Sequence, residues 1–579
     1  MIPAKFVAMS VIGNSKQLNI PAQRMIVALF CLAAIAFCLL FLAHDHTYLR
    51  NWYLSLGGCL YRQQYWEKDF FSPAVKAAGN HLAIAGCIVS AGLAVVTFSA
   101  KRTAVWHFNI ERSALPYYAI AGIGALIAAI YAQRLSCPAY DEVFSAVNCA
   151  ELHPFQTISY YMLPNNHIYF NAVNNVLCGW WHDPVTTGRW ISTIAYCGAM
   201  LAACYCFRQW LASGTGALIA LLPVAMQLTT LGMAGQARGY EVQLLCGWLT
   251  VAGIDTYLRN NSNAALKLVA VSSIAGFAMT TSYLLFYLPA ALFLFVASGR
   301  KGVWPVLRYQ FITGAVVFLL YLPALCFSGV GAFTANRYVA PGTDTIAAFL
   351  PQFASLTRFF IRYCFSMIGG EDNPVSYILF SLPVVLLFSK TKQDRLIGVA
   401  FVAVWVSYAA ITLQMRHMPF NRNLIVQFSI SMGCTIYALF RIVQWLPGIG
   451  RWQLLAFAIP VVGLTAYLVR ASASDIPYKL YYNAANDIYH GHEQELGWIS
   501  RDASIGCSDE CFLTYYMFRQ LHPKAVKCAT GAEDYYIKRK DDPMPAGWEL
   551  RYEKWKDGSE DYEYYKRCDI QADLHTQPH

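Results

Sequence analysis

The stretch MIVALFCLAAIAFCLLFLA at residues 25–43 contains no charged side chain. A second uncharged stretch, FITGAVVFLLYLPALC, occupies residues 311–326. Both are close to the length of about 20 residues that a helix needs to cross about 30 Å of hydrocarbon. Their apolar residues are continuous rather than alternating, which predicts helices instead of the strands of a membrane barrel. These two stretches therefore predict an α-helical polytopic membrane protein.

The composition extends this prediction to most of the chain. Of the 579 residues, 57% are hydrophobic and 13% are charged, whereas soluble domains carry about 25% charged residues. The net charge of +10 is spread along the loops rather than gathered in a block, which argues against a nucleic-acid partner. We therefore expect membrane lipids to surround most of the chain.

A hydropathy window of about 19 residues predicts about thirteen spans. They lie at residues 25–43, 82–98, 117–132, 192–207, 215–232, 242–257, 265–281, 284–298, 309–327, 376–389, 396–414, 423–440 and 453–470. We divide the chain into two N-terminal spans (1–116), a main transmembrane module (117–330) with a first external loop (133–191), a second external loop with the later spans (331–470), and an external soluble domain (471–579).

The loop charges predict the orientation of the chain in the membrane. One set of alternate loops is short and basic, at residues 101–112, 300–308 and 390–395, and these loops are assigned to the cytoplasm by the positive-inside rule. The opposite loops hold nearly all the loop carboxylates. The N-terminus is then cytoplasmic, and an odd number of spans places the C-terminus outside.

The polar tail after residue 471 has the pattern of a small α/β domain. Residues 508–521 predict a helix, and 524–526 and 535–538 predict strands. Residues 548–552 and 562–565 predict a hairpin. An oxidising compartment would allow disulfides among the tail cysteines and within the first loop, with the connectivity left open; these cysteines are Cys507, Cys511, Cys528, Cys568, Cys137 and Cys149.

The first external loop begins with a pair of carboxylates, Asp141 and Glu142, directly beyond a predicted span. A carboxylate in this place can take a proton from an attacking hydroxyl or hold a divalent cation. The alternative is that both acids are simply solvated. Downstream, the turn Asn165-Asn166-His167 supplies further polar groups. A histidine beside asparagines is commonly a structural hydrogen-bonding group, so a contact with substrate is the less frequent outcome.

Five arginines lie at predicted external span ends, against the usual charge bias: Arg238, Arg422, Arg358, Arg362 and Arg416. A planar guanidinium can donate two hydrogen bonds to a phosphate at once, so a lipid-linked phosphate would explain them. Lipid headgroups or carboxylate partners are the alternative. Arg358 and Arg362 are four residues apart and share one helix face.

The order of these motifs resembles the GT-C glycosyltransferases. The acid pair opens a long first external loop and is followed by a Pro/Asn/His turn at 164–167; Gly188-Arg189 then precedes a span. The sequence Ala237-Arg238-Gly239-Tyr240 is similar to the Ala-Arg-x-Tyr of the family, and Arg422-Asn423-Leu424 to its Arg-Tyr-Leu. The likeness is greatest to the family 39-like branch, with protein O-mannosyltransferases and lipid A aminoarabinose transferases. It covers residues 117–330 well and 376–470 loosely.

The sequence departs from this family in three places. The family often has His-Pro-Pro where this chain has Asn165-Asn166-His167, so the role of that turn is open. The first two predicted spans precede the helix that aligns with the family's first. The tail has no counterpart in the resemblance.

The resemblance implies an inverting glycosyltransferase that moves a sugar from a polyprenyl-phosphate donor to an acceptor hydroxyl on a lipid, a polysaccharide or a protein. The implied general base is Asp141, with Glu142 as second choice. The resemblance assigns no definite cofactor and leaves open a divalent cation, Mg²⁺ or Mn²⁺, at Asp141. The implied setting is a bacterial inner membrane with a periplasmic site. The donor-phosphate candidates are Arg238, Arg422, Arg358, Arg362 and His167, and the substrate-binding candidates are Asn165, Asn166, Tyr240, Glu371 and Asp372.

Three other functions compete with this interpretation. An O-antigen ligase or polymerase would use a diphosphate-linked saccharide, with key residues in a late external loop. A transporter or flippase of lipid-linked saccharides predicts ionisable residues within the spans and repeat symmetry. The sequence shows neither of these transporter features. A non-catalytic membrane scaffold would need none of the acidic and basic motifs.

Overall fold

The computed structural model describes residues 20–57, 60, 70–98, 110–134, 138–161, 166–181, 183–334, 343, 345–368, 374–475, 499, 502–508, 515–516, 519, 524–527, 529–557 and 562–568. Within these residues the fold is a bundle of helices followed by a small sheet.

The helices and strands have the following bounds. The α-helices are α1 Ile20–Ala43, α2 His46–Ser55, α3 Pro73–Phe98, α4 Leu115–Arg134, α5 Tyr140–Ser145, α6 Pro154–Ser159, α7 Ile168–Trp181, α8 Pro184–Leu211, α9 Gly214–Ala225, α10 Leu228–Ala234, α11 Tyr240–Asn260, α12 Asn263–Met279, α13 Leu284–Ala297, α14 Gly299–Ser328, α15 Val330–Thr334, α16 Ile346–Cys364, α17 Val375–Val385, α18 Lys392–Met415, α19 Ile425–Trp445 and α20 Gln453–Asp475. A π-helical turn spans Ala146–Ala150, and 3-10 turns span Arg112–Ala114, Thr281–Tyr283, Leu386–Phe388, Asn421–Leu424 and Gly450–Trp452. The strands are β1 Ile505–Cys507, β2 Ala525–Val526, β3 Tyr535–Arg539, β4 Tyr552–Asp557 and β5 Tyr562–Arg567.

The helices confirm the prediction of an integral membrane protein. Each predicted span overlaps one α-helix, except that 215–232 overlaps two. Among the described residues 8 helices are long and apolar enough to cross a membrane, or up to 9 if a bent pair forms one span. Three further apolar helices are shorter, with 10–17 residues. A chain with so many apolar helices can satisfy its backbone groups in hydrocarbon without help from side chains.

The predicted span 215–232 is not a single helix. It consists of α9 and α10, which meet at an angle of 77°. Gln227 sits in the break, where its side-chain amide donates to the carbonyls of Cys364 at 2.7 Å and Phe428 at 3.3 Å. The amide thus connects the break to two other parts of the bundle, a link that apolar periodicity cannot reveal.

The transmembrane core has two apolar clusters. The larger cluster centres on α8, α11 and α19, and α19 is buried along most of its length. A smaller cluster joins α1 and α3 to α14. The two N-terminal spans therefore attach to the main module through α14 and, by the contact of Phe37 with Phe155, through α6.

The C-terminal sheet has the strand order β2-β1-β3-β5-β4. Strand β1 pairs in parallel with β2 and β3, whereas β3, β5 and β4 pair antiparallel. The predicted strands at 524–526, 535–538 and 562–565 are confirmed, whereas the first strand of the hairpin is 552–557 instead of the predicted 548–552. Strand β1, with only 3 residues, was not predicted. Of the predicted helix at 508–521, the described residues 515, 516 and 519 are helical. Cys137, Cys511 and Cys528 lie outside the described residues, so the disulfides stay predictions.

The C-terminal domain packs on the segment that contains α5 and the π-helical turn. Tyr516 joins the apolar cluster formed by α5 and the π-helical turn. The Lys527 ammonium donates to the Val147 carbonyl at 2.9 Å, and the Arg519 guanidinium lies 3.4 Å from the Asp183 carboxylate. Because α5 carries the acid pair, the tail domain supports the segment on which the candidate site is built.

Candidate active site

The buried carboxylate of Glu142 is hydrogen-bonded to three segments of the site. It is fully buried and accepts two hydrogen bonds from Arg189, from Nε at 2.7 Å and from Nη2 at 2.9 Å. It also accepts from the backbone N–H of Ala237 at 2.7 Å and of Ala139 at 3.0 Å. These donors come from α8, from the turn before α11, and from the start of α5. These hydrogen bonds hold α5, and with it Asp141, against α8 and the turn before α11.

Two glycines permit the close packing of the segments around Glu142. A Cβ at Gly188 would lie 2.5 Å from the Ala237 Cβ, which is closer than packed atoms tolerate. A Cβ at Gly239 would lie 2.9 Å from the Met279 carbonyl oxygen and 3.2 Å from His167 Nδ1. The motifs Gly188-Arg189 and Arg238-Gly239 therefore combine a glycine needed for packing with an arginine needed for charge.

Asp141 lies at the meeting point of two arginines from distant parts of the chain. Its Oδ2 accepts from Arg238 Nη1 at 2.7 Å and lies 3.1 Å from Arg422 Nη2. The Asp141 side chain is 26% exposed and Arg422 is 28% exposed, whereas Arg238 is 2% exposed. The three side chains thus form a charged centre that is open on the side of Asp141 and Arg422.

His167 and Tyr240 extend this centre into the protein. The Nη2 of Arg238 donates to His167 Nε2 at 3.0 Å, so the imidazole proton resides on Nδ1, towards the Met279 carbonyl. The His167 ring stands edge-on to the Tyr240 ring with centroids 4.9 Å apart. The Tyr240 hydroxyl donates to Asn423 Oδ1 at 3.3 Å. Burial, with help from the charges of Arg238 and Arg422, lowers the pKa of His167 well below its usual value.

The lowered pKa of His167 predicts a loss of stability in acid. The unfolded state binds a proton near the ordinary histidine pKa of about 6.5 while the folded state does not. The contribution of His167 to stability is therefore constant above that pH and falls below it by up to about 1.4 kcal/mol per pH unit. We expect His167→Asn to flatten this dependence between about pH 6.5 and pH 5. The measurement is the melting temperature in detergent against pH; equal slopes for both proteins would contradict a neutral buried imidazole.

Other predicted site residues occupy different places. Asn166 is buried in its turn, where its amide donates to the Tyr160 carbonyl and its oxygen accepts from Asn171 at 2.9 Å. This is a structural role. Arg358 is exposed and donates to the Ala354 carbonyl of its own helix at 3.3 Å. Arg362 lies half-buried one turn later on α16, and both arginines remain predicted phosphate ligands. The predicted substrate-binding residues outside the described part of the chain are Asn165, Glu371 and Asp372.

The surroundings of Asp141 do not fit a divalent cation. Its carboxylate contacts two guanidiniums, and the buried imidazole of His167 lies beyond Arg238. Within the described ranges no cluster of three or more His, Cys, Asp or Glu side chains could hold a metal ion. Positive groups around a single carboxylate favour an anion at this position instead.

Two contributors to the site were not among the predicted site residues. Arg189 holds Glu142, and Asn423 accepts from Tyr240. Both belong to motifs already visible in the sequence, Gly188-Arg189 and Arg422-Asn423-Leu424. The signal was therefore present, but only the folded arrangement shows which partner each side chain takes.

Comparisons with known proteins give structural similarity alone. No protein-family model and no curated protein matches this chain. The structure of ArnT from Cupriavidus metallidurans in the apo state is 11% identical, covers 78% of this chain and 98% of its own, and has a TM-score of 0.49. ArnT from the same organism bound to undecaprenyl phosphate gives 0.47 with the same identity and coverage.

A third similar structure is the arabinosyltransferase EmbB from Mycobacterium smegmatis, at 14% identity and a TM-score of 0.35. The match covers 70% of this chain and 45% of EmbB. All three TM-scores are low, so the function of this chain has to be inferred from the geometry of its own site.

Proposed function

We propose that this protein is a membrane glycosyltransferase that moves a sugar from a polyprenyl-phosphate donor to an acceptor hydroxyl. The observation that carries the proposal is the carboxylate of Asp141 held between the guanidiniums of Arg238 and Arg422. This centre supplies a proton acceptor and two phosphate-binding groups within hydrogen-bond distance of each other. Those are the parts that sugar transfer from a phosphate requires.

In the proposed mechanism the donor phosphate takes over guanidinium hydrogen bonds that Asp141 holds in the structure. The released carboxylate then removes the proton from the acceptor hydroxyl. The acceptor oxygen forms a bond to the anomeric carbon while the bond from that carbon to the phosphate oxygen breaks. The polyprenyl phosphate leaves with its negative charge stabilised by the arginines. One displacement of this kind inverts the anomeric centre.

The two acids then have different roles. Glu142 is fully buried and accepts four hydrogen bonds, so it positions Asp141 and does not reach a substrate. Asp141 is partly exposed and has an open side. His167 orients Arg238, and Tyr240 connects the centre to the Arg422 turn through Asn423.

We place the site on the external face of a bacterial inner membrane. The support is the positive-inside bias of the loops around α13–α14 and α17–α18, which lie at the opposite ends of their helices from the acid pair. The tail domain contacts the loop that carries Asp141 and would share its side of the membrane. The acceptor is a hydroxyl of a lipid, a polysaccharide or a protein.

Substitution of Arg422 tests the phosphate-binding role. A hydrogen bond to a charged group contributes about 1.5–3 kcal/mol, so Arg422→Gln should raise the KM for a polyprenyl-phosphate sugar by roughly 10- to 100-fold. The measurement is transfer rate against donor concentration in proteoliposomes. Arg451→Gln, which removes an exposed cation between α19 and α20, serves as the control for net charge. Equal donor KM values for both variants would refute the proposal.

A further inference from the structure

A cavity of about 430 Å³ lies between α11, α13, α18 and α19. Its volume is in the range of small-molecule sites, about 300–1,000 Å³. Most of its wall is apolar, with Val251, Phe286, Phe293, Ala400 and Val404 among the lining residues. An occupant of this part of the cavity would therefore be a hydrocarbon group.

The cavity is distant from the Asp141 centre. Its polar end is formed by Asp255 and Arg259 near the end of α11 and by Lys392 and Gln393 at the start of α18. Tyr240, which belongs to the Asp141 centre, begins α11. At about 1.5 Å per helical residue, Arg259 lies roughly 28 Å further along the helix. The polar end therefore belongs to the opposite end of the bundle.

The polar end of the cavity has more cations than carboxylates, and more hydrogen-bond donors than acceptors for them. Arg259 pairs with Asp255 at 3.0 Å, whereas Lys392 has no carboxylate partner among the described residues. The indole N–H of Trp210 and the side-chain N–H group of Gln393 are buried and make no hydrogen bond within the described part of the chain. Trp210 is 8% exposed; Asp255 is close to it without reaching hydrogen-bond geometry.

Buried donors without acceptors are costly, at about 1–3 kcal/mol each, and two cations outnumber the single carboxylate. An occupant with an anionic head rich in acceptor oxygens would correct both imbalances. A phosphate fits this description, since it accepts from several N–H groups and pairs with lysine and arginine. The apolar wall excludes an occupant that is only a small ion.

We propose that this cavity binds one anionic phospholipid from the leaflet at the α18 N-terminal side of the membrane. The phosphate lies between Lys392 and Arg259 and accepts from Trp210 and Gln393, and an acyl chain fills the apolar part towards Val251 and the middle of the bundle. The site is separate from the Asp141 centre. It does not depend on the transferase function proposed for that centre.

The test is lipid retention by the full-length protein in native mass spectrometry after exchange into detergent with added phosphatidylglycerol or phosphatidylcholine. Wild type should retain one phosphatidylglycerol, with at least about 10-fold preference over phosphatidylcholine. Lys392→Gln should abolish this preference, and Lys392→Arg should keep it. The matched control is Arg395→Gln, an exposed cation on the same helix end that does not line the cavity.

Ala400→Phe tests the hydrocarbon part of the proposal, because it fills the cavity without changing charge. It should lose phosphatidylglycerol while inorganic phosphate still raises its melting temperature as in wild type. Retention of phosphatidylglycerol by both Lys392→Gln and Ala400→Phe, at the level of Arg395→Gln, would overturn the proposal. Stabilisation by phosphate in wild type without any lipid retention would overturn it as well. A variant that melts at the wild-type temperature in the absence of ligand is counted as folded.

Discussion

Asp141→Asn is expected to abolish sugar transfer, with a loss in kcat of about 10²- to 10⁴-fold from the missing proton acceptor alone. The asparagine oxygen can still accept one hydrogen bond from an arginine, but the amide cannot take the proton of the acceptor hydroxyl. The substitution also removes the negative charge that pairs with Arg238, which is 2% exposed. A buried charge that loses its partner costs stability, at about 3–5 kcal/mol when fully buried.

The experiment must therefore separate catalysis from folding. Transfer is measured with saturating polyprenyl-phosphate sugar at a temperature well below the melting transition of the variant. Glu151→Gln provides the matched control, since Glu151 is an acid of the same loop whose described partner is Arg519 in the tail domain. We expect Glu151→Gln to keep its turnover. A folded Asp141→Asn protein that turns over like wild type would eliminate Asp141 as the general base.

The transmembrane architecture was largely predictable because apolar length alone specifies a helix in hydrocarbon. Each predicted span overlaps one α-helix, except that 215–232 overlaps two. The break between α9 and α10 was not predictable, since the amide of Gln227 is satisfied by carbonyls of Cys364 and Phe428, far away in sequence. A hydropathy average over about 19 residues is hardly changed by one glutamine, so it predicts a continuous span.

The candidate centre was predictable as a set of residues but not as an arrangement. Charged side chains at predicted span ends singled out Asp141, Arg238 and Arg422. In the structure both arginines form ion pairs with Asp141. The sequence could not separate Asp141 from Glu142, because adjacent residues on a short helix have equal access to a loop. The Asp141 side chain is 26% exposed and the Glu142 side chain is 0% exposed. This difference depends on contacts with α8 and with the turn before α11, which are distant in sequence.

Because Glu142 is buried against Arg189, we expect substitutions of either residue to lower the stability of the protein. Glu142→Gln removes the negative charge while Arg189 stays only 12% exposed, and it offers one acceptor oxygen where two oxygens accept four donors. We expect a loss of about 3–5 kcal/mol in the free energy of unfolding. Arg189→Met should cost at least as much, because it leaves the carboxylate buried without its counter-ion.

A double-mutant cycle tests whether these two side chains act through each other. The double variant Glu142→Gln with Arg189→Met should be less destabilised than the sum of the single variants, by about 1–3 kcal/mol. Its turnover at low temperature should exceed that of Asp141→Asn, because the proton acceptor is still present although α5 is held less firmly. The contrary result would be a Glu142→Gln protein that melts like wild type and is as inactive as Asp141→Asn. Glu142 would then be acting on the substrate, and the buried carboxylate would have to become exposed when the donor binds.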